Sequence, residues 1–130
     1  MNTTSITEGP YKTFTEETLA QLEGKEGYLV ELGTAADSVK ILATAANAIG
    51  TYVGKVAPGS SNVNVRLLGN PGTARFVTGG AVAKGGLFMA AAGGKVVAAT
   101  STNLAIGRSL YQGNTADGQV IEALPANQIV

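Results

Sequence analysis

The side chains that could carry chemistry are few in this sequence and are unevenly placed. Nine residues are Asp or Glu, and seven of them come before residue 40. Asp117 and Glu122 are the two later ones, and Asp117 precedes Gly118 as a turn residue would. The acidic residues show no calcium-loop spacing. The chain has no His and no Cys, which removes the usual triad base, the commonest metal ligand and the cysteine nucleophile. The sequence therefore predicts no catalytic residue, no metal site, no cofactor and no enzyme activity.

Phosphate and nucleic-acid binding are also not indicated. Gly24-Lys25, Gly54-Lys55 and Gly94-Lys95 lack the upstream Gly and the following Ser or Thr of a phosphate-binding loop. The seven aromatic residues are not interleaved with basic ones, so they do not predict a stacking platform for single strands. Nine basic and nine acidic residues cancel, and the isoelectric point is near 6.2. We expect neither a nucleic-acid partner nor a membrane partner.

One alternative function depends on Lys84. Lipoyl and biotinyl carrier domains are small pseudo-twofold β structures with a modified lysine at a hairpin tip. Lys84, in the run Val82-Ala-Lys-Gly-Gly86, is predicted to lie at such a tip. Its flanking residues differ from those of carrier domains, because no Met precedes the lysine and no Asp-Lys-Ala pattern is present.

The scarcity of charge points to assembly. Charged residues are 14% of the chain, against roughly 25% in an average soluble domain. Surfaces of small polar and apolar residues suit permanent assemblies, although a neutral soluble domain would have the same composition. Residues 1–40 carry a net charge of −4 and residues 41–130 a net charge of +4. This asymmetry indicates either contact between copies of the chain or an acidic helix that happens to lie early.

Frequent turn signals predict a mainly β fold. Pro58-Gly59 and Pro71-Gly72 favour type II turns, and Gly93-Gly94 and Asp117-Gly118 favour hairpin turns. Short runs rich in Val, Ile, Leu, Thr and Tyr lie between them, at 28–32, 38–43, 51–57, 62–68, 74–78, 87–91, 95–100, 105–112 and 119–124. A spacing of about 8–12 residues is typical of a small β-barrel or β-sandwich.

The sequence also repeats itself. Ala48-Ile-Gly50 recurs as Ala105-Ile-Gly107, and a Lys-led apolar run precedes each copy. We therefore predict that residues 27–68 and 86–124 are two versions of one four-strand unit, joined by a connector at 69–85. Pseudo-twofold symmetry would relate the two units in a small closed barrel or sandwich. Residues 37–49 alone also fit an Ala-rich helix. Their Gly- and Val-rich counterpart favours strand, turn and strand for both.

The N-terminal part is predicted to be different. Thr13-x-x-Glu16 has the form of a capping box, which predicts a short helix that ends at Gly24. The polar residues before it predict an extended arm over 1–14, and residues 15–130 form a single β domain. Tyr11, Lys12, Thr13 and Phe14 are the candidate contacts of this arm to a partner protein or a neighbouring protomer. Alternatively, these aromatics pack the helix onto its own barrel.

Motifs in both halves of the sequence resemble those of the bacteriophage capsid decoration, or cement, proteins. The motifs are Gly27-Tyr-Leu-Val30, Val39-Lys-Ile-Leu-Ala-Thr44, Ala48-Ile-Gly-Thr-Tyr-Val-Gly54, Gly79-Gly-Ala-Val-Ala-Lys-Gly-Gly-Leu87, Gly94-Lys-Val-Val-Ala-Ala-Thr100 and Ala116-Asp-Gly-Gln-Val-Ile-Glu-Ala-Leu124. The resemblance covers about residues 15–125. It implies a mostly β virion protein that binds the outside of the expanded capsid and stabilises it across capsomer boundaries, without catalysis.

The implied partners are the major capsid protein and further copies of the chain, as a trimer or dimer. The start of the sequence has no signal peptide pattern, so synthesis in the host cytoplasm is expected before incorporation into the virion. Another virion module, such as a tail-tube or fibre-base protein, would share the same composition.

Overall fold

Strands dominate the computed structural model of this protein, which describes residues 10–130. The strands are β1 (Tyr11–Glu16), β2 (Leu29–Leu32), β3 (Ser38–Ile41), β4 (Gly50–Lys55), β5 (Asn62–Leu67), β6 (Ala74–Val77), β7 (Leu87–Ala90), β8 (Val96–Ala98), β9 (Leu104–Ser109) and β10 (Val120–Ile129). A single turn of 3₁₀ helix at Ala45–Asn47 separates β3 from β4. The prediction of a mainly β fold is confirmed. Residues 37–49 form a strand and turns, as predicted, and not an Ala-rich helix. No helix within residues 10–130 is long and apolar enough to span a membrane.

The first five strands close into a barrel in the order β1-β3-β2-β4-β5. β1 completes it, because it pairs antiparallel with β5 on one side and parallel with β3 on the other. Tyr11 lies opposite Arg66 and Thr15 lies opposite Asn62. The parallel pairing with β3 is confined to Thr15 and Glu16, so the barrel closes at the C-terminal end of β1.

The second five strands form a sheet in the order β6-β10-β9-β7-β8. Its pairings follow the first half: β7 pairs with β8 and β9, as β2 does with β3 and β4, and β9 pairs with β10 as β4 does with β5. One parallel bridge, from Thr78 to Val96, links the end of β6 to β8. The strand order thus recurs in the predicted repeat units, whereas a twofold relation between them stays a prediction.

The predicted N-terminal helix is wrong. Thr13 and Glu16 lie in β1, and residues 17–24 form turns. The Thr13 hydroxyl donates to Asn64 Oδ1 across the strand pair at 2.8 Å instead of capping a helix. Phe14 and Glu16 alternate with exposed Tyr11, Thr13 and Thr15, which is a strand period of two.

The predicted arm also overlaps with this strand. Residues 11–14 of the predicted arm 1–14 are part of β1, so its boundary falls inside the barrel wall. Pro10 is an exposed bend residue directly before β1, and residues 1–9 lie outside the described residues.

Two apolar clusters form the core. One fills the barrel with Phe14, Leu22, Val30, Val39, Tyr52, Val63 and Val65. The other joins both halves, because Leu29 and Leu42 of the barrel pack with second-half residues that include Phe76 and Phe88, whose rings meet edge-on with centroids 4.9 Å apart. Backbone hydrogen bonds from Leu29 to Gly94 (2.7 Å) and from Gly93 to Leu42 (2.8 Å) reinforce this contact. The two halves therefore share one apolar core.

Three acidic side chains hold loops in place. Buried Glu16 accepts from the Leu22 N–H at 2.9 Å and faces Lys55 at 3.5 Å. The Thr34 hydroxyl donates to Glu17 and lowers the pKa of that carboxyl, with help from the Thr34 N–H. The N–H of Ala43 and then that of Thr44 lower the pKa of Glu31 below its ordinary 4.5.

Two glycines occupy matching positions where chain segments approach closely. Gly50 pairs with Val30, and Gly107 pairs with Phe88. A Cβ at Gly50 would meet the carbonyl oxygen of Arg66, and one at Gly107 would meet the Phe88 ring. The repeated Ala-Ile-Gly motif therefore supplies the small residue that both halves need at this point.

We predict that Gly50→Ala and Gly107→Ala each lower the free energy of unfolding by about 1–3 kcal/mol, because each methyl overpacks a close contact. Gly54→Ala is the matched control, since its Cβ would meet nothing within 4 Å. Urea titration should place the control within about 0.5 kcal/mol of wild type. A Gly50→Ala or Gly107→Ala protein as stable as the control would contradict the prediction.

Acid should weaken the fold partly through Glu31. A carboxyl whose pKa is lower in the folded than in the unfolded chain stabilises the fold above the unfolded pKa. That contribution is lost as the pH falls from about 4.5 through the folded pKa. Urea titrations from pH 7 to pH 3 should therefore show a shallower acid loss for Glu31→Gln than for wild type, and a lower stability at pH 7. Equal slopes for the two proteins would count against this role of Glu31.

Candidate functional site

The four residues proposed as interface contacts do not share one surface. Tyr11 and Thr13 point outward from the barrel, and Tyr11 is 49% exposed. Phe14 is buried in the barrel core. The Lys12 ammonium lies over the Phe14 ring, 5.8 Å from its centroid. Phe14 thus packs inside its own barrel, as part of a strand and not of the helix in the alternative interpretation. Contacts of Tyr11, Lys12 and Thr13 with a partner stay a prediction.

An uncharged polar ladder covers most of the outer face of β1 and β5. The Thr13 hydroxyl bonds Asn64 at 2.8 Å, and the Thr15 hydroxyl bonds Asn62 at 3.4 Å. These cross-strand pairs satisfy each other, so the surface is ordered without carrying charge. The scarcity of charged residues in the composition is therefore visible on the barrel wall itself.

A cleft with two arginines opens beside this ladder, between the barrel and the second sheet. It has a volume of about 210 Å³ and is lined by Tyr11, Thr51, Tyr52, Val53, Arg66, Thr73, Ala74 and Arg75. A second hollow of about 340 Å³ shares Thr73, Ala74 and Arg75 and extends to Val120, Ile121 and Glu122. We call these two adjoining hollows together the arginine cleft.

Strand pairing places the two guanidinium groups. Arg66 lies on β5 opposite Tyr11, and its guanidinium sits 5.5 Å from the centroid of the Tyr11 ring. Its Nη2 also donates to the Pro71 carbonyl at 2.8 Å. Arg75 lies on β6 opposite Glu122 of β10. Neither guanidinium has a carboxylate within 4 Å among residues 10–130, where the ion pairs are Glu16–Lys55 and Lys95–Asp117.

Burial raises the pKa of the Tyr52 hydroxyl at the base of the cleft. The negative charges of Glu26, Glu16 and Glu23 act in the same direction. Tyr52 is therefore a neutral core residue at neutral pH, and it offers no anionic group to a ligand of the cleft.

An apolar groove lies elsewhere between the two halves. Its volume is about 400 Å³, and it is lined by Ala45, Ala46, Ala48, Leu68, Met89, Ala90, Asn103, Leu104 and Ile106. Ile129, which pairs with Leu104, is 65% exposed beside it. With no charged residue among its lining, this groove is suited to contacts with an apolar protein surface.

Other candidate chemistry is not supported by the geometry. Residues 10–130 contain no cluster of three Asp or Glu side chains able to hold a metal ion. Lys84 is exposed in a turn between β6 and β7, but these two strands do not pair with each other. The prediction that Lys84 lies at a hairpin tip is therefore wrong, and the carrier function loses its structural basis.

Sequence reasoning missed Arg66 and Arg75 as a pair. They are separated by nine positions and lie in different halves of the fold, so only long-range strand pairing brings them to one cleft. The one available signal was the net charge of +4 over residues 41–130.

Comparisons with known proteins identify a solved structure of similar fold. No family model matches the chain, and no curated protein sequence matches it. Among solved structures, the chain is similar to the N base of the head fiber protein gp8.5 of bacteriophage phi29. The TM-score is 0.57 at 9% sequence identity, and the match covers 92% of this chain and 96% of that chain. The likeness is one of fold, and its coverage means that it includes both halves of the molecule.

Proposed function

We propose that this protein is a non-catalytic structural component of a bacteriophage virion, bound to the exterior of the expanded capsid. The observation that carries the proposal is the shared fold with the head fiber base of bacteriophage phi29 over 92% of the chain. The resemblance of the sequence motifs to capsid decoration proteins supports the same location independently. Stabilisation of the shell across capsomer boundaries is the role that this second resemblance favours.

The physical character of the molecule fits that role. A protein that reinforces a shell needs a rigid body and modest contacts that symmetry repeats many times. The closed barrel and the core shared by the two halves provide rigidity. The uncharged ladder on β1 and β5 allows close approach of neighbouring subunits without charge repulsion.

The proposed partners are the major capsid protein and further copies of this chain. Assembly as a trimer or dimer on the shell is supported by the apolar groove, since permanent interfaces between identical subunits are more apolar than transient ones. Neither nucleic acid nor membrane is a proposed partner.

A second candidate is the base of a head fibre. It is favoured by the phi29 protein of similar fold, because that protein is itself a head fiber base. Both candidates bind the outside of the head, but only the cement raises the resistance of the shell, and only the fibre base carries a projection. A tail-tube role has no comparable support.

We expect the purified protein to cosediment with undecorated, expanded heads of its own phage. Binding should saturate at a copy number compatible with the symmetry of the shell. Unexpanded heads are the control, because their capsomer boundaries have a different geometry and should bind fewer copies. Decorated heads should also survive heating that opens bare heads.

The outcomes separate the candidates. Saturable binding with added heat resistance supports the cement. Saturable binding without added resistance, with density projecting from each bound copy in electron micrographs, supports the fibre base. Absence from heads, with the protein found in tails instead, would contradict both.

A further inference from the structure

We propose that the arginine cleft is the site that binds the shell, and that its ligand is an exposed acidic segment of the capsid protein. This inference rests on the proposed function for the identity of the partner. The cleft itself is defined by Tyr11 and Arg66 on barrel strands, by Arg75 on β6 of the second sheet, and by Thr73, which directly precedes β6.

The first argument is charge. Arg66 and Arg75 line one depression, and among the described residues no carboxylate lies within 4 Å of either guanidinium. Glu122 stands opposite Arg75, yet its carboxylate accepts from the Thr73 hydroxyl at 2.8 Å. Two guanidinium groups without an ion-pair partner among the described residues, in a chain of zero net charge, are complementary to an acidic partner.

The second argument is preorganisation. The guanidinium of Arg66 is held by the Tyr11 ring and by the Pro71 carbonyl. The aliphatic stem of Arg75 passes so close to Gly27 that a Cβ there would lie 3.1 Å from its Cγ. Gly27 also has a φ of +90°, a conformation that favours glycine. Side chains positioned before binding lose less entropy when they form the forked hydrogen bonds that arginine makes to carboxylates.

The third argument concerns the class of partner. A phosphate backbone needs a row of cations, but this cleft has two and ends at the carboxylate of Glu122. The Arg66 guanidinium lies over one face of the Tyr11 ring. This contact hinders the stacking of a nucleic-acid base on the ring. Val53, Ala74 and the Thr73 hydroxyl line the remaining walls. A protein segment with a carboxylate beside a small apolar residue matches these groups.

The direct test uses capped hexaglutamate as the probe and the full-length protein labelled with ¹⁵N. Amide shifts should concentrate at the residues that line the arginine cleft. The Arg66→Gln/Arg75→Gln variant should bind the peptide about tenfold more weakly. Lys84→Gln is the matched control, because Lys84 is an exposed cation outside the cleft, and it should bind within about twofold of wild type.

Further variants guard against a folding artefact. Arg75→Gln alone removes an exposed guanidinium with no ion pair and should keep the wild-type urea midpoint while it weakens binding. Glu122→Gln should strengthen hexaglutamate binding, because a competing negative charge leaves the cleft. Equal binding by wild type and the double variant, or equal losses in the double variant and Lys84→Gln, would overturn the proposal. So would a hexathymidylate that binds the same amides as tightly as hexaglutamate.

The same variants, bound to expanded heads, connect the cleft to the proposed function. The double variant should require about tenfold more protein for half-saturation than wild type, while Lys84→Gln should match wild type. Heads that bind the double variant as well as wild type would disprove the role of the cleft and leave the proposed function standing. If wild type does not bind heads, the proposed function fails, and the peptide titration still decides whether the cleft takes acidic segments.

Discussion

Closure of the barrel by β1 is the constraint on which the other features depend. This strand pairs with β5 on one edge and with β3 on the other, so the barrel exists only when both pairings form. Because side chains alternate along a strand, closure puts Phe14 and Glu16 inside. The Glu16 carboxylate then holds the loop that delivers Leu22 into the barrel. The same alternation presents Tyr11 to the arginine cleft, so the core and the candidate site are set by one strand.

The second constraint is the attachment of the second sheet to the barrel. Val30 and its neighbours fill the barrel interior. Leu29 and Leu42 are instead buried against the second half of the molecule. Backbone bonds to Gly93 and Gly94 fix the relative position of the halves. Arg66 comes from the barrel and Arg75 from the second sheet. The spacing of the two guanidinium groups therefore depends on the shared core, and a change that loosened this core would also alter the cleft.

Local patterns predicted most strands, and long-range pairing accounts for what they missed. Turn glycines and apolar runs located β2 to β10, and the repeated Ala-Ile-Gly motif identified equivalent strands, because such signals lie within a few residues. The Thr13-x-x-Glu16 spacing is compatible with a helix cap and with a strand. Only the partners of β1, which lie 23 to 55 residues away in the sequence, decide between them. The pair Arg66 and Arg75 was not predicted for the same reason. No local sequence pattern marks two residues that lie in different sheets and line one cleft.

Scarce charge makes the position of each remaining charge informative. Glu16, Glu17 and Glu31 are used by the fold as acceptors for loop groups, and Lys55 and Lys95 have carboxylate partners. The uncharged ladder and the apolar groove give close contact but little orientation, because such contacts tolerate many arrangements. Two arginines in one cleft would supply the orientation, since forked hydrogen bonds to a carboxylate constrain both distance and angle. On a shell with many identical positions, the uncharged and apolar surfaces of such a subunit would pack by shape. Arg66 and Arg75 would fix its orientation.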